Sequence, residues 1–166
     1  NRDIRAAYEA SPYGNARTGA LAARMAIARA GIDPGAIGLV IAGGSAPDSL
    51  TPAEAATIAG ELGIDAPCFD LNSACTSFGM QVAFVSRLDP AHLPDFVLLV
   101  NPENLTRSID YADRATAVLF GDGSAAAVLS ASVPSRITIS GCETATTRFP
   151  LPFFPALPVC VIFSLL

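Results

Sequence analysis

The chain has 166 residues, a formal charge of −5 from 10 basic and 15 acidic side chains, 51% hydrophobic residues and 15% charged ones. That length suits one domain or one half of a larger two-part fold. The apolar share excludes a disordered chain, and an acidic balance with no basic block argues against nucleic-acid binding. The four cysteines, Cys68, Cys75, Cys142 and Cys160, form no CxxC pair, and the single histidine, His92, lies in no HxxxH or HExxH. Neither a zinc site nor a disulfide framework is expected, and a reduced cytoplasmic setting fits the cysteine usage. The chain opens on Asn1 rather than Met, and its front does not read as a signal peptide.

In chain order, residues 16–31 read as a helix with Leu21, Met25 and Ala28 on one face and Gly31 as its stop. The run Leu39-Val40-Ile41-Ala42 between glycines reads as a buried strand. Thr51-Pro52-Ala53-Glu54 combines a capping residue, a proline and an acid, so a helix is expected to start there, run to Leu62 and end at Gly63. Residues 67–71 are a short strand candidate. Residues 75–88, CTSFGMQVAFVSRL, are apolar almost all round and predict a helix in a domain centre. Phe96–Val100 predicts another buried strand, and residues 101–114 a polar loop. Residues 117–120 and 124–130 lead into an expected hairpin with residues 136–140. This alternation argues for a βαβ-type sheet with helices on its faces.

The end of the chain differs. Residues 149–166, FPLPFFPALPVCVIFSLL, hold four prolines and no charge. The prolines break any helix, and a membrane span needs roughly 20 apolar residues without such breaks. The final VCVIFSLL has strand character. The composition shift near Arg148 is read as a truncation or a change of reading frame.

The chemistry centres on Asp70-Leu71-Asn72-Ser73-Ala74-Cys75-Thr76-Ser77-Phe78. A strand ends, a short polar turn follows, and Cys75 stands at the start of the buried helix. A helix N-terminus carries roughly half a positive charge and free N–H groups. Both favour a thiolate nucleophile, and the same N–H groups can hold an oxyanion during acyl transfer. A small buried hydrophobe is the competing role for such a cysteine.

FDLNSACTSF resembles the nucleophile turn of the thiolase superfamily, and of the β-ketoacyl-ACP synthase III family in particular. The stretch Asp110 to Leu129, DYADRATAVLFGDGSAAAVL, resembles that family's D-x-x-D-R…F-G-D-G-A-G-A-A-V-L segment. AGIDPGAIGLVIAG is similar to a third family stretch, and the likeness covers roughly residues 20–140.

The resemblance implies an α/β, thiolase-like fold. Residues 1–148 would form its N-terminal βαβαβαββ half, with the C-terminal half missing, and residues 149–166 an atypical tail. It implies that Cys75 takes an acyl group from acyl-CoA, with its own N–H as one oxyanion donor. In the family, a His and an Asn of the second half then support decarboxylative condensation with malonyl-ACP. Arg114 matches an arginine that contacts the CoA nucleotide, and Phe120 a phenylalanine lining the acyl and pantetheine channel. Leu50 and Thr51 match a loop that closes the partner subunit's acyl pocket, with a one-residue gap in the alignment.

The implied partners are acyl-CoA, acyl carrier protein and a second copy in a homodimer. No cofactor, metal, nucleic acid or membrane is implied. Two departures stand out: Thr76-Ser77 follows the cysteine where the family more often has Ala-Gly or Ser-Gly, and the His and Asn segments have no match. His92 lies in a polar loop and reads as solvated. This stretch alone is therefore expected to be inactive in condensation. Two alternatives are an acyltransferase that uses a Cys75 thioester without condensation, and a non-catalytic partner or relic of a condensing enzyme. The G-x-G-x-x-A spelling at residues 121–126 resembles a dinucleotide loop but is followed by alternating residues rather than a helix.

Overall fold

A computed structural model describes residues 3–133 and 164–165. A short helix, α1 (Ile4–Ala10), is capped by the Asp3 carboxylate, which accepts from the Ala6 amide at 3.0 Å. There follow α2 (Asn15–Ala30), β1 (Ile37–Ala42), α3 (Glu54–Leu62), β2 (Cys68–Asp70), α4 (Ser77–Val85), β3 (Phe96–Asn104), β4 (Asp122–Leu129) and β5 (Ser164–Leu165). The sheet order is β2-β1-β3-β4-β5. β1 is parallel to β2 and β3, and β4 is antiparallel to β3 and to the two-residue β5. The described residues thus supply αβαβαββ of the implied βαβαβαββ order. The expected strand at residues 136–140, and the tail apart from β5, lie outside the described residues.

Both sheet faces are covered, and the strands show it by alternation. Val40, Ala42, Leu98, Val100, Ala126 and Val128 pack with α2 and α3. Ile41, Val97, Leu99, Ala127 and Leu129 pack with Val82 and Val85 of α4. Consecutive strand residues point to opposite faces, so a continuous apolar run is what a sheet between two helix layers requires.

Several expectations shift. The buried side of α2 is its small-residue face, Gly19, Ala20, Ala22, Ala23, Ala26 and Ile27, whereas Leu21 is 40% exposed and Ala28 lies outward. Close approach explains it: a Cβ on Gly19 would sit 3.0 Å from Ile58 Cδ1 and 3.1 Å from Val100 Cγ1. α3 begins at Glu54, not Thr51, because its amides are capped from afar. Asp70 at the end of β2 accepts from the Glu54 and Ala55 amides, both at 2.8 Å. The Thr51–Pro52 peptide before it is cis.

β3 runs on to Asn104, four residues beyond the expected apolar strand, because β4 continues beside it (Asn104 opposite Asp122). Residues 117–120 form an exposed turn and not a strand. Gly31 and Gly63, both at φ 69°, end α2 and α3 in the left-handed conformation expected of helix-stopping glycines. α4 is shorter than expected and buries one side only: Met80 and Phe84 are 37% and 38% exposed.

Candidate active site

Because β1, β2 and β3 run parallel and β4 starts opposite the end of β3, three connections meet at one end of the sheet. These are the loop 43–53 after β1, the turn 71–76 after β2, and the segment 105–121 from β3 to β4. Open α/β sheets bind ligands at the carboxyl ends of their strands. Cys75 lies there in a 3-10 turn, Ala74–Thr76, directly before α4, and is exposed. It is therefore not a buried hydrophobe. Leu50 is 96% exposed at the tip of the first loop, with Thr51 exposed beside it. Arg114 is exposed and Phe120 half-exposed in the third segment.

The topology brings all five to this end. Among the described residues no hydrogen bond or ring contact links Cys75 to the other four. His92 sits in a 3-10 turn that precedes β3, at the opposite end of the sheet, exposed and 3.3 Å from Asp89. It is too far round the fold to serve Cys75. Asp110 and Asp113 are exposed and cap their own turns through the Ala112 and Ala115 amides, so they form no carboxylate pair. Thr116 and Ala115, which hydrogen-bond the Asp113 carboxylate, hold its pKa below the usual value.

The turn at Cys75 is built locally. Ala74 has φ 47°, the left-handed region, which costs a residue with a Cβ about 1–2 kcal/mol. Side-chain hydroxyls hold it. The Ser73 amide donates to Ser77 Oγ at 2.9 Å, and Ser77 Oγ donates to the Ala74 carbonyl at 2.8 Å. Thr76 Oγ1 donates to the Ser73 carbonyl at 2.8 Å and lies 2.8 Å from Ser73 Oγ. Cys75 makes none of these bonds, and no described residue accepts from its amide.

Beneath the turn, the Leu71 amide donates to the Ala42 carbonyl at 2.8 Å. The Gly44 amide donates to Asn72 Oδ1 at 3.0 Å. Gln81, one turn into α4 and fully buried, accepts from Asn101 Nδ2 of β3 at 3.0 Å.

The loop 43–53 is held differently, by buried charge. Arg107 donates to Asp48 Oδ1 at 2.5 Å and lies over the Tyr8 ring, 4.2 Å from its centre. The Asn15 amide donates to Asp48 Oδ2 at 2.6 Å, and Asn15 Nδ2 to the Ala46 carbonyl at 2.8 Å. Glu54, 5% exposed, accepts from the Asp48 amide at 3.2 Å and from Asn15 Nδ2 at 3.3 Å. Burial pushes its pKa up to about 7. The neighbouring Asp48 and Asp70 carboxylates add to the shift, and the two hydrogen bonds oppose it. The Glu103 carboxylate accepts from the Ser45 amide. Sequence reading missed these groups. The signal available was a Glu and an Asn at helix starts and a Gln inside an otherwise apolar helix.

A family profile described as 3-oxoacyl-[acyl-carrier-protein (ACP)] synthase III matches residues 69–147. The chain is 39% identical over 122 residues to the β-ketoacyl-[acyl-carrier-protein] synthase III of Campylobacter curvus, 72% of this chain and 36% of that protein. Over these residues the chain is similar to the β-ketoacyl-ACP synthase III family. To synthase III 2 of Vibrio vulnificus the identity is 42% over 127 residues, 74% of this chain and 35% of the relative. The chain thus spans about a third of the length of these relatives.

Among solved structures it is similar to the priming β-ketosynthase of the R1128 polyketide pathway, with TM-score 0.69 and 37% identity, over 76% of this chain and 39% of that one. It is also similar to a Cys-to-Ser variant of Xanthomonas campestris OleA with bound lauric acid and lauroyl-CoA. There the TM-score is 0.65 and the identity 25%, over 73% of this chain and 41% of the other. The fold is the thiolase-like α/β fold of these ketosynthases. Among the described residues no helix is long and apolar enough to cross a membrane.

Proposed function

We propose that this chain carries the acyl-loading part of a β-ketoacyl-ACP synthase III-like condensing enzyme. The observation that supports it is the exposed Cys75, set behind a left-handed residue between the end of β2 and the start of α4. In the proposed step the Cys75 thiolate attacks the thioester carbonyl of acyl-CoA. The oxyanion that forms accepts from the Cys75 amide, which has no acceptor among the described residues. The intermediate collapses, the C–S bond to CoA breaks, and CoA leaves as the thiolate. The product is an acyl-Cys75 thioester.

Arg114 is proposed to meet the CoA nucleotide and Phe120 the acyl and pantetheine chain. Leu50 and Thr51 are proposed to close the acyl pocket of a second copy in a homodimer. Residues 1–148 are proposed to form the N-terminal half of the fold. The condensing step takes malonyl-ACP as the second substrate, loses its carboxyl group as CO2, and joins the resulting carbanion to the acyl carbon. It needs donors that hold the enolate oxygen as CO2 leaves, which the sole histidine, at the far end of the sheet, does not provide, so the chain alone is proposed to load without condensing.

The test is intact-mass analysis of the full chain after incubation with acetyl-CoA and with longer acyl-CoAs. The expected result is one acyl adduct, mapped to Cys75, released by hydroxylamine and absent in Cys75→Ala. No adduct, or an adduct on Cys68, overturns the proposal. Formation of β-ketoacyl-ACP from malonyl-ACP by this chain overturns the restriction to loading.

A further inference from the structure

The hydroxyl bonds around Cys75 form a closed set in which each proton is used once. Ser73 Oγ donates to Thr76 Oγ1, which donates to the Ser73 carbonyl. Ser77 Oγ accepts from the Ser73 amide and donates to the Ala74 carbonyl. Both braces span the left-handed Ala74, and Cys75 lies between them. Ser77 is 2% exposed, so its hydroxyl is shielded from competing water, whereas Thr76 is exposed. A left-handed alanine is a sparsely populated conformation that persists only where its surroundings over-determine it. Here the restraint comes from side chains within four residues rather than from the sheet. Thr76-Ser77 is also one of the two departures from the family pattern noted in the sequence.

We propose that Ser77 and Thr76 are positioning residues for Cys75, their hydroxyls locking the Ala74 turn so that the thiol and the Cys75 amide converge on one acyl carbonyl. The inference rests on the acyl-loading reading and deepens it. The lock matters for a reaction that passes through an oxyanion, because thiol and amide must then be placed together. It matters little for a simple displacement at carbon, where only the thiol takes part.

The experiment compares Ser77→Ala, Thr76→Val and Ser77→Thr with the unaltered full chain. Three readings are taken: the acylation rate of Cys75 by acetyl-CoA, its alkylation rate by iodoacetamide, and amide hydrogen exchange over residues 73–77. The expected result is acylation about tenfold slower in the first two variants, the loss of one oriented hydrogen bond. Alkylation stays within about twofold, exchange rises about tenfold, and Ser77→Thr stays near the unaltered chain. Equal slowing with both reagents, or unchanged exchange, overturns the lock. If Ser77→Ala fails to fold, Thr76→Val carries the test, since Thr76 is exposed. If the unaltered chain takes no acyl group, the loading reading falls, and exchange alone decides the lock: faster in the variants sustains it, unchanged removes it.

Discussion

The two loops that leave β1 and β2 at the site end are neighbours, yet they are held in opposite ways. The turn around Cys75, residues 73–77, is fixed by hydroxyls and amides no more than four residues apart. The loop 43–53 is fixed by groups reaching in from elsewhere: Arg107, 59 residues from Asp48, and Asn15, 33 residues from it. The first kind of restraint forms with the local backbone and ignores pH. The second forms only when the tertiary fold assembles and depends on the charge of buried carboxylates. A turn proposed to present a nucleophile in one geometry and a loop tip that carries an exposed Leu50 have different needs, and the difference in restraint follows them.

The two loops are most sensitive to substitution where they touch. Gly43 sits between them: a Cβ there would lie 2.3 Å from the Leu71 carbonyl oxygen and 2.6 Å from Gln81 Nε2. The Leu71 carbonyl is backbone, and its residue is pinned to β1 through the Ala42 carbonyl, so it cannot swing aside. Gly43→Ala is expected to cost about 3 kcal/mol or more, a fall of about 6–12 °C in thermal midpoint, as overpacking of a tight site does. It should slow Cys75 acylation as well, because Leu71 leads into the turn. A variant with an unchanged midpoint and unchanged acylation would show that the loops are not coupled through Gly43.

What the sequence revealed divides along the same line. The strands expected at 39–42, 67–71, 96–100 and 124–130, the αL glycines at 31 and 63, and the turn that carries Cys75 are local patterns, and each appears within a few residues of its expected place. The start of α3 did not, because its cap is Asp70, sixteen residues on, and no local pattern carries that. The buried face of α2 was misplaced for a related reason. Leucine is the stronger hydrophobe, but Gly19 and the alanines allow α2 to approach Ile58 and Val100 closely, and closeness is a property of the pair. Glu54 read as an ordinary first-turn acid favoured by the helix dipole, whereas it is buried among Asn15, Asp48 and Asp70. The turn that carries Cys75 was legible because the residues that brace it are its neighbours in sequence.

The charged loop is testable through Glu54. Its unfolded pKa is near 4.5 and its folded pKa about 7, so between these values the unfolded chain loses a proton that the folded chain keeps. The folded state then binds more protons, and stability falls as pH rises through that window. The stabilisation is complete below about 4.5 and gone above about 7. The swing is on the order of 3 kcal/mol or less, from the size of the shift. Glu54→Gln keeps the shape and removes the titration. Denaturant midpoints between pH 4.5 and 7.5 should fall with pH in the unaltered chain more steeply than in the variant. Parallel profiles would mean that Glu54 does not titrate between the two states. The turn at Cys75 offers no such handle, and Ser77→Ala should leave the pH profile of stability unmoved.

The smallest effect on stability belongs to the loop tip. Leu50 is 96% exposed and buries nothing that substitution would release, so Leu50→Asp should move stability by no more than about 0.5 kcal/mol. An apolar side chain held out in this way is costly to solubility and is explained if a second copy covers it, as proposed for the acyl pocket. Under that proposal Leu50→Asp slows acylation of Cys75 in its own homogeneous preparation. Adding the Cys75→Ala chain, which has an intact Leu50 but no nucleophile, should restore it, because the tip is then supplied by the other copy. Recovery of acyl label on the Leu50→Asp chain places the tip in the neighbour's pocket. Slow acylation with no recovery would place Leu50 beside its own Cys75, and normal acylation without any addition would remove it from the site. Either failure leaves the rest of the loop's charged anchorage standing, since that anchorage rests on Asp48, Glu54 and Arg107 and not on the tip.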